Sequence, residues 1–149
     1  VLGRDARDVP AGQTRDYIFG YTILNDVSAR DVQTAHKQWY FGKSLDGFTP
    51  IGPCIVTADA FADYPPRLGI RSFVNGEKRQ DSNTALQIFD IDHVIAELSQ
   101  GMTLKAGTII ATGTPAGVGM GMDPPQFLKP GDVVRCEIDG IGTLTNPVE

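Results

Sequence analysis

IRSFVNGEKRQ, Ile70 to Gln80, sets two short arms, Ile70–Val74 and Lys78–Gln80, on either side of Asn75-Gly76. Asparagine and glycine tolerate the positive φ angles of a two-residue turn, so the stretch reads as an antiparallel hairpin. Asp139-Gly140 repeats the signal between Val133–Ile138 and Ile141–Leu144. Upstream, Tyr17–Leu24 (YIFGYTIL) is aromatic and β-branched and reads as a buried strand, and Ile51–Ala58 as another that starts after Pro50. Leu104–Ile110 and Leu128–Val134 resemble each other. Each is read as a turn feeding a strand, because two copies cannot stack into a solenoid.

Helices are scarcer. Ile91–Gln100 is the best, with Asp90 or Asp92 as its cap, Val94, Ile95 and Leu98 as its apolar stripe and Gly101 closing it. Ser28–His36 suits a short helix. Val1–Arg15 is charged and loop-like, Gln38–Phe48 is an aromatic and glycine loop, and Tyr64-Pro65-Pro66 is a break. The expected fold is therefore a β-rich, mixed α/β structure with one main helix and short helical turns. Its sheets should be largely antiparallel or mixed, since only one helix is long enough for a crossover.

Composition narrows the function. A chain of 149 residues suits one domain, residues 1–149. With 41% hydrophobic and 21% charged residues it is not a disordered tail. No apolar run approaches the ~20 residues that cross a bilayer. Thirteen basic against 18 acidic side chains leave a formal charge of -5 and no basic stripe for a nucleic-acid backbone. Glycine (17) and proline (10) are abundant, so turns are many. Cys54 and Cys136 form no CxxC pair and sit in apolar runs, which reads as two core thiols in a reducing compartment, with a single disulfide between them as the alternative. No signal or transit segment is visible, and a cytoplasmic location is expected.

Three places could carry chemistry. Asp26 ends a strand and opens a helix, with Arg30 and Gln33 at helical spacings from it. It could face a cleft, or simply cap the helix and pair with Arg30. Lys43 lies in Trp39-Tyr40-Phe41-Gly42-Lys43-Ser44, where partial desolvation would suit its ammonium to an anion or carbonyl. The plainer reading is a surface lysine with its stem on Trp39 or Phe41. Ala111–Gly121 (ATGTPAGVGMG) runs a strand into a loop with four glycines, whose amides could cradle a carboxylate with the Thr114 hydroxyl, or which could be a wide structural turn. It lacks the Gly-Lys-Ser/Thr of a phosphate loop. His36 and His93 have no ligand-spaced partner and read as surface residues. No Gly-x-Ser-x-Gly elbow occurs.

Five collinear blocks then resemble the fumarylacetoacetate hydrolase family: GYTILNDVSARDVQ (20–33), FGKSLDGFTPIGP (41–53), VNGEKRQDSNT (74–84), MTLKAGTIIATGTPAGVG (102–119) and FLKPGDVVRCEIDGIGTLTNPV (127–148). The resemblance implies a catalytic domain with a β-sheet roll around a cleft, usually a homodimer, with a Mg²⁺ or Mn²⁺ ion and a small 2-oxo or β-diketo acid substrate. It makes Asp26 a metal ligand, Lys43 an active-site lysine, and Gly113 and Thr114 the holders of a substrate carboxylate. Arg30 and Gln33 match positions near the substrate's distal end. The implied activity is hydrolysis of a C–C bond in an acylpyruvate or β-diketo acid. Oxaloacetate-type decarboxylation or tautomerisation on the same metal is the alternative, and a non-catalytic domain of this fold the third reading. In the family a Glu-x-Glu pair upstream of the Val1-Leu2-Gly3-Arg4 segment supplies two further metal ligands, and many members carry a histidine–glutamate dyad further upstream. The expectation is therefore a catalytic domain truncated on its N-terminal side.

Overall fold

The computed structural model describes residues 1–35 and 37–149. Its strands are β1 (Gly20–Leu24), β2 (Ile51–Thr57), β3 (Gly69–Val74), β4 (Glu77–Asn83), β5 (Val133–Ile138) and β6 (Gly142–Pro147). Its α-helices are α1 (Arg30–Ala35) and α2 (Ile91–Ser99). β1 pairs with β2, and the other four strands form a sheet in the order β4-β3-β5-β6, antiparallel at every junction. Asn75 and Gly76 both take positive φ, 52° and 84°, as the expected hairpin turn requires. The Asn75 side chain does more than turn. Its amide donates to Asp132 (2.8 Å) and its oxygen accepts from the Val133 amide (2.8 Å), which fastens this hairpin to the start of β5.

The sheets meet where β2 faces β6: the Gly52-Pro53 corner of β2 packs against Gly142 and Leu144. α2 is capped by Asp90, whose carboxylate accepts from the His93 amide at 2.8 Å, and Gly101 follows it with φ 75°. Its buried face is Ile95, Ala96 and Ser99, at the spacing of successive helical turns. Leu98, expected on that face, is instead 37% exposed, because it lies about 160° around the helix from Ala96 and so falls at the edge of the buried face.

Other expectations are corrected. Val1–Arg15 is irregular but not a mere charged loop, since Leu2, Ala6 and Val9 are buried with Ile95 and Leu104 as the principal core. Leu2 and Ala6 are placed by bridges, to Ile18 and Leu104, and Val9 by its amide donating to the Ser99 hydroxyl at 3.1 Å, contacts that no local periodicity announces. The stretch after Gly107 forms no strand: the backbone of Leu2 bonds Gly107 and Thr108, and no ladder continues beyond among the described residues. Cys54 is exposed, because β2 turns most of its residues outward, so the core reading fails there. Cys136 is part-buried, and burial pushes its thiol pKa up. Both cysteines are free. No described helix is long and apolar enough to cross a membrane.

Candidate active site

β1 delivers the chain to Asn25, whose amide donates to the Pro50 carbonyl at 3.0 Å, and Asp26 follows. The Asp26 carboxylate neither caps α1 nor pairs with Arg30. It accepts from the Lys43 ammonium across 17 residues of sequence. Glycine 42 makes this possible. The turn Phe41–Lys43 lies directly on the start of α1, with the Ala29 amide donating to the Gly42 carbonyl at 2.8 Å. A Cβ at 42 would sit 2.7 Å from the Gln33 nitrogen and 2.9 Å from the Ala29 oxygen, so only glycine allows the approach. Trp39, Tyr40 and Phe41 stand exposed beside it. The Lys43 and Asp26 side chains are 27% and 39% exposed, shielded yet reachable from solvent.

Arg30 and Gln33 are joined to each other, the guanidinium donating to the Gln33 side-chain oxygen at 2.9 Å on α1. Gln33 is buried. The glycine loop divides in two. Gly117 packs so closely on the Arg79 carbonyl of β4 that a side chain there would collide with it, and Gly119 packs likewise on Gln126. Those two glycines are structural. Gly113, at φ 99°, has open space where a Cβ would lie, and Thr114 beside it is exposed. The Thr114 oxygen accepts from the Gln80 side-chain amide at 2.8 Å.

An apolar cavity of about 120 Å³ lies beside the chain that leads into each of the two loops. Leu24, Ile109, Ile110 and Thr112 help to line it. Asp26 and Thr114 each lie two residues beyond one of its walls, Leu24 and Thr112. Tyr21 lines it too, and burial, with repulsion from Tyr64, pushes the Tyr21 hydroxyl up to about 12. Its phenol thus stays neutral in any ordinary buffer.

Among the described residues no group of three or more His, Cys, Asp and Glu side chains is gathered so as to hold a metal ion. Asp26 is a hard oxygen donor of the kind that Mg²⁺ or Mn²⁺ takes, so these residues fit such an ion as one ligand and not as a full set. His93 stacks on Phe89, 4.7 Å between ring centres, and is exposed as expected. His36 lies outside the described residues.

Reading motifs alone passed over Arg79 and Gln80. Arg79 reaches the segment that follows the glycine loop, bonding Gln126 and approaching the Met122 sulfur at 3.0 Å. The available signal was β4 itself: EKRQDSN is polar at all seven positions, which an ordinary half-buried strand is not.

The chain matches the family model for the fumarylacetoacetate hydrolase C-terminal region over residues 1–149, and it belongs to that family. It is 48% identical to an oxaloacetate tautomerase of Bacillus subtilis, YisK, over 99% of this chain and 49% of that protein. Among solved structures, a fumarylacetoacetate hydrolase from Exiguobacterium antarcticum superposes with a TM-score of 0.96 at 50% identity, covering 100% of this chain and 53% of that one. A 5-carboxymethyl-2-hydroxymuconate delta-isomerase from Mycobacterium smegmatis gives 0.87 at 47% identity, covering 99% and 54%. The β-rich fold is that of the family. The chain spans about half the length of the curated relatives it matches.

Proposed function

We propose that this chain is the catalytic domain, residues 1–149, of a divalent-metal-dependent enzyme that interconverts the enol and keto forms of a small 2-oxo acid of the oxaloacetate type. The observation that carries the reading is the Asp26–Lys43 pair, an acid and an ammonium joined at the mouth of a strand-end loop. Likeness to an oxaloacetate tautomerase and to an isomerase supports this over the hydrolytic branch. When bound, Mg²⁺ or Mn²⁺ would stabilise the enolate oxygen as a Lewis acid, with Asp26 among its ligands. Lys43 adds positive charge at the same oxygen and holds a proton on Nζ within reach of it. The Gly113 backbone and Thr114 hydroxyl hold the substrate carboxylate. The Arg30–Gln33 pair borders the distal end of the substrate. Partners are the small acid and a second copy of the chain, and the location is cytoplasmic.

C–C bond hydrolysis of an acylpyruvate is the second reading, favoured by likeness to the Exiguobacterium structure. Products separate the branches: loss of the enol absorbance with no new acid or CO₂ marks tautomerisation, a released acid marks hydrolysis, and CO₂ marks decarboxylation. In the protein with its native flanking sequence, Asp26→Asn is expected to weaken Mg²⁺ and Mn²⁺ binding in calorimetry. Lys43→Ala is expected to lower turnover of oxaloacetate by roughly 10²- to 10³-fold, the scale of losing one group that stabilises an oxyanion. Parent-like metal affinity in the first and parent-like turnover in the second would sink the assignment.

A further inference from the structure

We infer that Gln80 is a positioning residue that fixes the polarity of the Thr114 hydroxyl and commits it to donate toward the substrate carboxylate. The inference rests on the proposed role of Thr114. Ser72 and Gln80 are direct partners across the β3–β4 pair, and the register slips immediately beyond them, leaving Arg79 as the extra residue of a bulge. Bulges re-aim side chains. Here the bulge aims the Gln80 side chain at the glycine loop.

The orientation of its amide is dictated by its neighbours. The Pro115 carbonyl, 2.8 Å away, can only accept, so the amide nitrogen faces it. Ser72 donates to the amide oxygen at 2.8 Å. The second N–H of the same nitrogen then points at the Thr114 oxygen, also at 2.8 Å. A hydroxyl that accepts there keeps one proton, and no acceptor for it is seen among the described residues. The proton is directed outward from an exposed side chain beside Gly113, where an anionic oxygen would receive it.

The test compares Gln80→Met, Thr114→Val and the double variant in the Mg²⁺-loaded protein, by KM and kcat for oxaloacetate and by calorimetric affinity for oxalate. Each single variant is expected to raise KM and weaken oxalate binding roughly tenfold, the scale of one hydrogen bond to a charged group, with kcat changed far less. The double variant should be no worse than Thr114→Val, because Gln80 acts only through that hydroxyl. Should Gln80→Met not fold, Gln80→Glu, which keeps the length and removes both donors when ionised, should give the same rise. If Thr114→Val raises KM and the Gln80 variants do not, or if the two losses multiply, the inference is overturned and the proposed site survives. If Thr114→Val is silent, or the parent protein binds no oxalate, the proposed role of Thr114 falls and the inference with it.

Discussion

Ile95 and Lys43 show two ways in which this chain uses a side chain. Ile95 is 1% exposed, at the centre of a cluster drawn from α2, Leu104 and the N-terminal residues Leu2, Ala6 and Val9. Lys43 sits on a short turn among exposed aromatics, held by one carboxylate and by the absence of a side chain at Gly42. The first region is built by removing apolar surface from water, which has no direction and tolerates irregular backbone. The second is built from hydrogen bonds and close backbone approaches, which are directional. Stability and chemistry therefore reside in different places, and substitutions should separate them.

The largest expected effect tests the packed region. Ile95→Ala should cost roughly 2–5 kcal/mol of unfolding free energy, the range for emptying a well-packed aliphatic site. Chemical denaturation should show a lower midpoint with an unchanged slope, and the folded fraction should keep its KM for oxaloacetate. A change in KM as large as that seen on altering Thr114 would mean the two regions are coupled. Gly42→Ala works the other way. Its new Cβ would press on backbone atoms of α1 that cannot swing aside, a strain of about 1–3 kcal/mol. The strain falls on the contact that presents Lys43, so turnover should drop as in Lys43→Ala while most of the stability remains. Full turnover in Gly42→Ala would show that the turn need not lie on α1.

That division also explains what could be read from the amino acids. Hairpin turns announce themselves through local chemistry, so Asn75-Gly76, Asp139-Gly140 and the two hairpins they close were legible, though not that the hairpins join in one sheet. So were the α2 cap at Asp90 and the convergence of Asp26 with Lys43, the latter through family resemblance and not through spacing. The N-terminal core was hidden because Leu2, Ala6 and Val9 alternate with arginine and aspartate at no regular period, and their burial depends on strands far along the chain. Leu104–Ile110 looked like Leu128–Val134, yet only the latter finds a ladder, with Val133 and Val134 lying between β3 and β6. A strand is a property of the pair, and one sequence carries half of it. Gln80 escaped notice because its role arises from a bulge and from the neighbours across it.

The smallest effect concerns acid. Asp92, in the first turn of α2, accepts from the Thr14 hydroxyl at 2.6 Å and from the Gly12 amide, and Thr14 is fully buried. Burial alone would raise the Asp92 pKa, but these hydrogen bonds outweigh it and hold the carboxyl below its usual range. A carboxylate held low in the folded state stabilises at pH values above the unfolded pKa, and that contribution is lost as pH falls through the folded one. Stability should thus decline on acidification below the ordinary carboxylate pKa near 3.8, and not between pH 5 and 8. The loss belongs to the packed region, where Asp92 ties the N-terminal segment to α2. Asp92→Asn should lower Tm at neutral pH by an amount corresponding to under about 1 kcal/mol, since the group is only partly buried. It should also flatten the acid limb of the Tm profile relative to the parent. Asp26→Asn, on the open side, should leave that limb as steep as before. Parallel acid limbs in the parent and Asp92→Asn would remove Asp92 from the packed region's account and leave its acid sensitivity to the exposed aspartates that Lys105, Asn75 and Arg71 hold low.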